Sequence, residues 1–268
     1  MSEWDEWRES PGRTAGVSIA WIAIYGALIG ATTFVPLFPY VGGGGFLPLS
    51  VAFSAIAPLV MGPAGLIAAL IGGLLGMFLS PAAFPLGLID VLVVGLLPAV
   101  MVYLMTNGQN RILWALGIVV IIGMGIWGSV FPYYSPGPAA GFSNPSNPGL
   151  FFALGGWYWI PWLVIMLSPL GWKYIPEWSR FTEAEVESLG KKYIGLLIAV
   201  ICAIMVWLIP FFLPYWFFFA YPVDLAHAVF IGYSWWGPAF SAVITIISVP
   251  ILEGLHRSGL PKVPGALW

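Results

Sequence analysis

Long apolar stretches alternate along the chain with short polar or Pro/Gly-rich interruptions. The apolar stretches cover about Val17–Leu37, Leu49–Met61, Ala64–Leu79, Leu86–Met105, Ile112–Phe131, Trp157–Leu170, Tyr193–Leu213 and Ala228–Leu252. A helix that crosses a bilayer needs about 20 mostly apolar residues. The pattern therefore predicts an all-α, polytopic transmembrane helical bundle of about eight spans. The stretches at Leu49–Met61, Ala64–Leu79 and Trp157–Leu170 are short. They predict tilted or broken helices, which are tolerated only where protein or a water-filled cavity covers the freed backbone groups. The second and third spans are joined only by Gly62–Pro63.

Composition sharpens this picture. Of 268 residues, 60% are hydrophobic and 7% charged, and the mean hydropathy is +0.95. A soluble domain is about a quarter charged, so a water-facing surface is excluded. Nine Lys and Arg against eleven Asp and Glu give a net charge of −2, which excludes a polybasic nucleic-acid binder. A single cysteine, Cys202, and two histidines, His227 and His256, provide no disulfide framework and too few ligands for a haem or polynuclear metal centre. No metal and no cofactor are expected.

Basic residues set the orientation. Arg8 and Arg13 precede the first span. Arg111 lies between the fourth and fifth, and Lys173, Arg180, Lys191 and Lys192 between the sixth and seventh. Arg257 and Lys262 follow the eighth. All fall on one side of an eight-span arrangement, which places both termini in the cytoplasm of a multi-pass cell-membrane protein. Residues 1–16, with Trp4 and Trp7 among acids, read as an interfacial segment rather than a secretory signal. Residues 17–131 form the helical core, 132–156 a Pro/Gly-rich outer loop, 157–252 the C-terminal helices and 253–268 a cytoplasmic tail. Within Pro176–Lys192, Thr182 precedes Glu185 by capping-box spacing, which predicts an amphipathic cytoplasmic helix over 176–192.

Catalytic motifs are scarce. Gly123-Met-Gly-Ile-Trp-Gly128 matches a dinucleotide fingerprint by letter, but it lies inside an apolar span with no preceding strand, so it is rejected as a nucleotide site. No Gly-x4-Gly-Lys-Ser/Thr, His-Glu-x2-His or Gly-x-Ser-x-Gly occurs. No catalytic residue is assigned, and the chain is read as a non-enzyme.

Three patterns carry more information. Ala23, Ala27 and Ala31 recur every four residues on the first span, with Gly26 and Gly30 one position earlier; such smooth strips let a second helix approach closely. They serve internal packing or the docking of another membrane subunit. Ionisable groups at membrane depth are costly and usually face a cavity or a partner. Asp90, a few residues into the fourth span, is read as a cavity-facing polar group. Asp224 and His227 are three apart, share a face if that stretch is helical, and are read as a solvated loop or as ligand contacts. Glu253 is read as structural, within reach of Arg257. Finally, Trp157, Tyr158, Trp159 and Trp162, and then Tyr215, Trp216, Tyr221, Tyr233, Trp235 and Trp236, cluster on the outer side. An interfacial belt explains most of them; Trp159 and Trp235 are candidates for stacking on a flat ligand.

The alanine strip is followed by the loop Phe38–Pro48 with Gly42–Gly45, by the proline-bearing Leu49–Met61, and by Gly62-Pro-Ala-Gly-Leu-Ile-Ala-Ala-Leu-Ile-Gly-Gly-Leu-Leu-Gly76. Over about its first 105 residues the chain resembles the substrate-binding S component of energy-coupling factor (ECF) vitamin transporters. The resemblance implies that Ala23, Ala27 and Ala31 pack on a transmembrane coupling subunit powered by cytoplasmic ATPase subunits. It also implies that Tyr40–Phe46 closes as a lid over a small-molecule nutrient held on the outer side. S components usually have six helices, so an extra helix pair and the 132–156 insertion depart from the pattern. On this reading Asp90, Trp159, Asp224, His227, Trp235 and Tyr40 are the candidate ligand contacts. Two alternatives stay open: a non-catalytic accessory subunit of a larger membrane complex such as a respiratory assembly, and a membrane enzyme in which Asp90, Asp224 and His227 converge.

Overall fold

The computed structural model describes residues 13–14, 17–39, 45–134, 155–181, 189–219, 223–261 and 263–268. The protein is mostly helical. Among the described residues, four helices, Leu88–Thr106, Arg111–Gly128, Leu189–Phe212 and Ile231–Arg257, are long and apolar enough to cross a membrane. Shorter apolar helices cover Ile19–Thr32, Ser50–Met61, Ala64–Leu79 and Gly155–Leu167. Two small antiparallel ribbons depart from the all-α expectation. Strand β1 (Arg13–Thr14) pairs with β2 (Val17–Ser18), and β3 (Pro36–Pro39) with β4 (Phe46–Pro48). In a two-stranded ribbon both strands are edges, so the prolines at 36, 39 and 48 remove no obligatory ladder donor.

The chain divides into two compact units. The first comprises Met1–Tyr103, Ser179–Ile194 and Ile244–Trp268. It begins with α1 (Ile19–Thr32), which ends where the Thr33 hydroxyl donates to the Gly30 carbonyl at 2.6 Å and the chain turns towards Pro36. Next, α2 (Ser50–Met61) is buried at every position except Phe53. It stops at Gly62, whose φ of +55° suits glycine, and Pro63 opens α3 (Ala64–Leu79). Helix α3 is the hub of this unit because its glycines admit neighbours on two sides. A Cβ at Gly72 would collide with Ile29 of α1. One at Gly73 would fall 3.1 Å from the Gly95 Cα. Gly95 belongs to α4 (Leu88–Thr106), whose turns over Val91–Leu96 are widened to π geometry. Pro98 follows directly; its ring lacks an N–H and would crowd the Val94 carbonyl in regular helix, and a π-turn absorbs that conflict. Inside this packing the buried Ser54 hydroxyl donates to the Gly95 carbonyl, so a polar pair ties α2 to α4.

The last residues complete the first unit. The end of α2 leaves carbonyls without helical partners. Leu267 donates its N–H to the Leu59 carbonyl at 2.9 Å, and the Trp268 indole donates to the Val60 carbonyl at 2.7 Å. The Leu267 carbonyl in turn accepts the Phe181 N–H at 2.7 Å. The expected cytoplasmic tail is therefore partly built into the helix ends.

The second unit comprises Leu104–Trp178 and Gly195–Val243. It contains α5 (Arg111–Tyr134), α6 (Ile160–Leu167), α7 (Ile175–Ser179) and parts of α8 (Leu189–Phe219) and α9 (Val223–Arg257). The glycines of the rejected fingerprint are packing positions: a Cβ at Gly125 would strike the Trp159 ring, and one at Gly128 would fall 2.6 Å from Ile209. The Trp114 indole donates to the Met166 carbonyl at 2.8 Å. Aromatic rings fill the centre, with Tyr158 5.9 Å from Phe212, Phe212 4.8 Å from Tyr233, and Trp236 stacked on Phe240 at 4.5 Å.

The helix expected over Pro176–Lys192 is interrupted. Helix α7 ends at Ser179 and Phe181 is non-helical; the next described residue, Leu189, is helical. The backbone N–H of Phe181 is engaged by Leu267 instead of a helical carbonyl. Thr182 and Glu185 lie outside the described residues, as do residues 1–12, Tyr40 and 135–154.

Candidate functional site

Helix α1 carries two small-residue ladders, and the structure treats them differently. Gly26 and Gly30 are buried; a Cβ on either would fall 2.8 Å from Ile71 or Leu75 of α3. Ala23, Ala27 and Ala31 are all exposed. The glycines thus hold α1 inside its own unit, and the alanines form a smooth strip that no described residue covers. Ile24, 69% exposed, and Leu28 flank it, as expected of a surface facing lipid or another membrane helix.

The strands that flank the expected lid, Tyr40–Phe46, pair antiparallel. Pro39 pairs with Phe46 and Pro36 with Pro48, with an irregularity between Pro36 and Phe38. Leu49 donates its N–H to the Val35 carbonyl at 2.9 Å and closes the ribbon onto the start of α2. Tyr40 and Gly42 lie outside the described residues.

Asp90 is fully buried. It sits at the third position of α4, and its Oδ2 accepts the Leu86 N–H at 2.6 Å. An acid there reaches back to an unpaired donor and meets the positive end of the helix. Gly87, at φ +61°, makes the turn that brings Leu86 into range. Asp90 therefore has a local structural task that the bare sequence did not reveal; the Pro85-Leu86-Gly87 turn one helical turn upstream was the available signal.

The remaining candidates are dispersed. Trp159 is half-buried against Gly125, and its indole N–H, like that of Trp162, is buried without a partner among the described residues. Trp235 is 80% exposed, the placement of a belt residue rather than of a ring closing a cavity. Asp224 and His227 lie in the first turns of α9, so the stretch is helical as sharing a face requires; their side chains lie outside the described residues. Asp90 belongs to the first unit and Trp159, Asp224, His227 and Trp235 to the second. Glu253 hydrogen-bonds Arg257 one helical turn on, as its spacing predicted. Among the described residues no three His, Cys, Asp or Glu gather as a metal site.

The sequence reading missed a cleft at the other end of the first unit from Asp90. Its volume is about 270 Å³, and it is lined by β2 (Val17, Ser18), Trp21 of α1, the end of α2 (Val60, Met61), Leu255 of α9 and the tail. The signal was present in the tail: Leu260, Pro261, Val263, Pro264, Leu267 and Trp268 are too apolar for a solvated terminus. Beside it, Lys192 lies 4.3 Å above the Phe181 ring and donates to the Arg180 carbonyl at 2.9 Å. Burial lowers the Arg180 guanidinium from its ordinary pKa, and the nearby Tyr103 opposes that shift.

No protein-family model, curated protein or solved structure matches this chain.

Proposed function

We propose that this chain is a non-catalytic membrane subunit that docks a neighbouring membrane protein through Ala23, Ala27 and Ala31, and that it serves as the substrate-capture subunit of an ECF-type importer. The carrying observation is the division of labour on α1: the glycine ladder is spent on α3, while the alanine ladder lies open. In lipid, helices gain little from burying apolar area against one another, so close backbone approach over small residues is the available means of association. The importer reading adds an eight-span topology with both termini on the cytoplasmic side, a β3–β4 hairpin that covers an outer site, and a small nutrient as cargo. Energy comes from the coupling and ATPase subunits.

The accessory-subunit reading is favoured by one observation. Asp90, the strongest candidate for a ligand contact at depth, is engaged with the Leu86 N–H, and such a subunit needs no outer cavity. A single experiment separates the readings. Ala23, Ala27 and Ala31 are replaced together by Leu, and the protein is purified from its native membrane with whatever accompanies it. The importer reading expects a coupling subunit and ATPases to accompany the wild type and to be lost from the variant, while nutrient binding persists. Co-purification of respiratory subunits instead establishes the second reading. Unchanged partners in the variant overturn the docking face itself.

A further inference from the structure

The segment Val263–Trp268 sits on the first unit as a short peptide sits on a receptor. The stretch that ties it to α9, Arg257–Pro261, is exposed at every position, whereas Leu267 and Trp268 are buried. Its anchoring runs through backbone groups. The Leu59 carbonyl accepts the Leu267 N–H, the Val60 carbonyl accepts the Trp268 indole N–H, and the Leu267 carbonyl accepts the Phe181 N–H. Leu59 and Val60 lie in the last turn of α2, whose carbonyls a helix leaves open, so these acceptors exist before the segment arrives. Shape matches as well. A Cβ at Gly62 would collide with the Pro264 carbonyl, and one at Gly265, where φ is +80°, would fall 3.1 Å from the Pro63 ring. A turn closed by the Ala266 N–H on the Val263 carbonyl presents the Leu-Trp pair. The contacts then continue to α8, because Lys192 lies over the Phe181 ring and donates to the Arg180 carbonyl. Leu267 thus stands between the end of α2 and the start of α8.

We infer that the end of α2, the Gly62–Pro63 turn and Phe181 form a docking groove for an apolar Leu-Trp peptide, that Val263–Trp268 is its resident ligand, and that this segment leaves and rebinds as a unit. Its occupancy then decides whether the Arg180–Phe181 connector is fixed to α2. Two buried side chains carry the anchoring and the linker contributes none, so the segment opens without unfolding a helix. Opening frees the Phe181 N–H and the α2 carbonyls together. A short tether supplies an effective concentration on the order of millimolar, which keeps the groove filled against dilute competitors. The inference does not depend on what the protein transports or joins.

The test uses the full chain in detergent. Leu267→Asp combined with Trp268→Ala dislodges the segment while leaving it attached. Amide hydrogen exchange at Phe181 is expected to rise about tenfold or more in this variant. A labelled Val-Pro-Gly-Ala-Leu-Trp peptide is expected to bind the variant and restore that protection. The same peptide is expected to bind the wild type far more weakly, because the tethered copy holds the groove. A scrambled peptide of equal composition controls for partition into micelles. Circular dichroism checks folding. Should the variant fail to fold, wild type carrying a protease site between Ser258 and Pro261 is cut after folding, and exchange of the cut segment for labelled peptide is followed. Phe181 protection that ignores the loss of the segment overturns the inference. So does a peptide that binds no better than its scrambled control to the folded variant, or to the cut protein.

Discussion

Asp90 and Trp268 show how single side chains satisfy backbone groups that lipid will not. Replacing Asp90 by Ala leaves the Leu86 N–H without its acceptor and is expected to cost ~1–3 kcal/mol, read as a lowered unfolding midpoint in detergent. Asp90→Asn keeps an acceptor oxygen and is expected to lose less. If Asp90 also held a ligand, the Asn variant would lose binding out of proportion to its stability, so the two measurements together separate the roles. Trp268→Phe preserves the ring but removes the indole N–H. It leaves the Val60 carbonyl unpaired in a buried setting, with an expected cost of ~1–3 kcal/mol. A midpoint unchanged from wild type would show that water replaces the tail there.

At the level of elements, α1 offers a controlled comparison. Ala27→Leu places a larger side chain on an exposed face and is expected to change stability by no more than about 0.5 kcal/mol. Gly26→Leu drives side-chain atoms into Ile71 and Ala68 of α3 and is expected to prevent assembly of the first unit, seen as loss of a monodisperse peak on size exclusion. Equal tolerance at both positions would mean that the two ladders are interchangeable. These faces also mark the boundary of what the chain reveals before folding. The helices at Leu88–Thr106, Arg111–Tyr134, Leu189–Phe219 and Val223–Arg257 were legible because continuous apolar runs have few ways to satisfy their backbone in lipid. The turn at Gly62–Pro63 was legible because no longer connector exists there. The choice between glycine and alanine ladders was not legible, since a spacing of four marks both and only the partner helix decides which is filled. The π-turns before Pro98 and the Asp90–Leu86 bond also escaped, because each depends on where a freed carbonyl or donor lies in space. The tail escaped because terminal charge at Arg257 and Lys262 suggested solvation, whereas Leu267 and Trp268 carry the packing.

For the whole molecule, the distribution of Lys and Arg makes a topological statement that labelling can check. In a Cys202→Ala background, cysteines placed singly at Gln109, Ser258 and Ala82, all exposed, sample the connectors after α4, after α9 and between α3 and α4. An eight-span arrangement expects Gln109→Cys and Ser258→Cys to react with an impermeant maleimide from one face of sealed vesicles and Ala82→Cys from the other. Reaction of all three from the same face would remove α4, which alone separates Ala82 from Gln109, from the membrane-crossing set.

Because Ala23, Ala27 and Ala31 are exposed among the described residues, natural variation at these sites becomes informative in a way that variation at Gly26 is not. Folding alone would let side chains of any bulk drift in at all three. Among orthologues, persistent smallness there would record selection by an outside binding surface, whereas free drift to Leu, Ile or Phe would record nothing but contact with acyl chains.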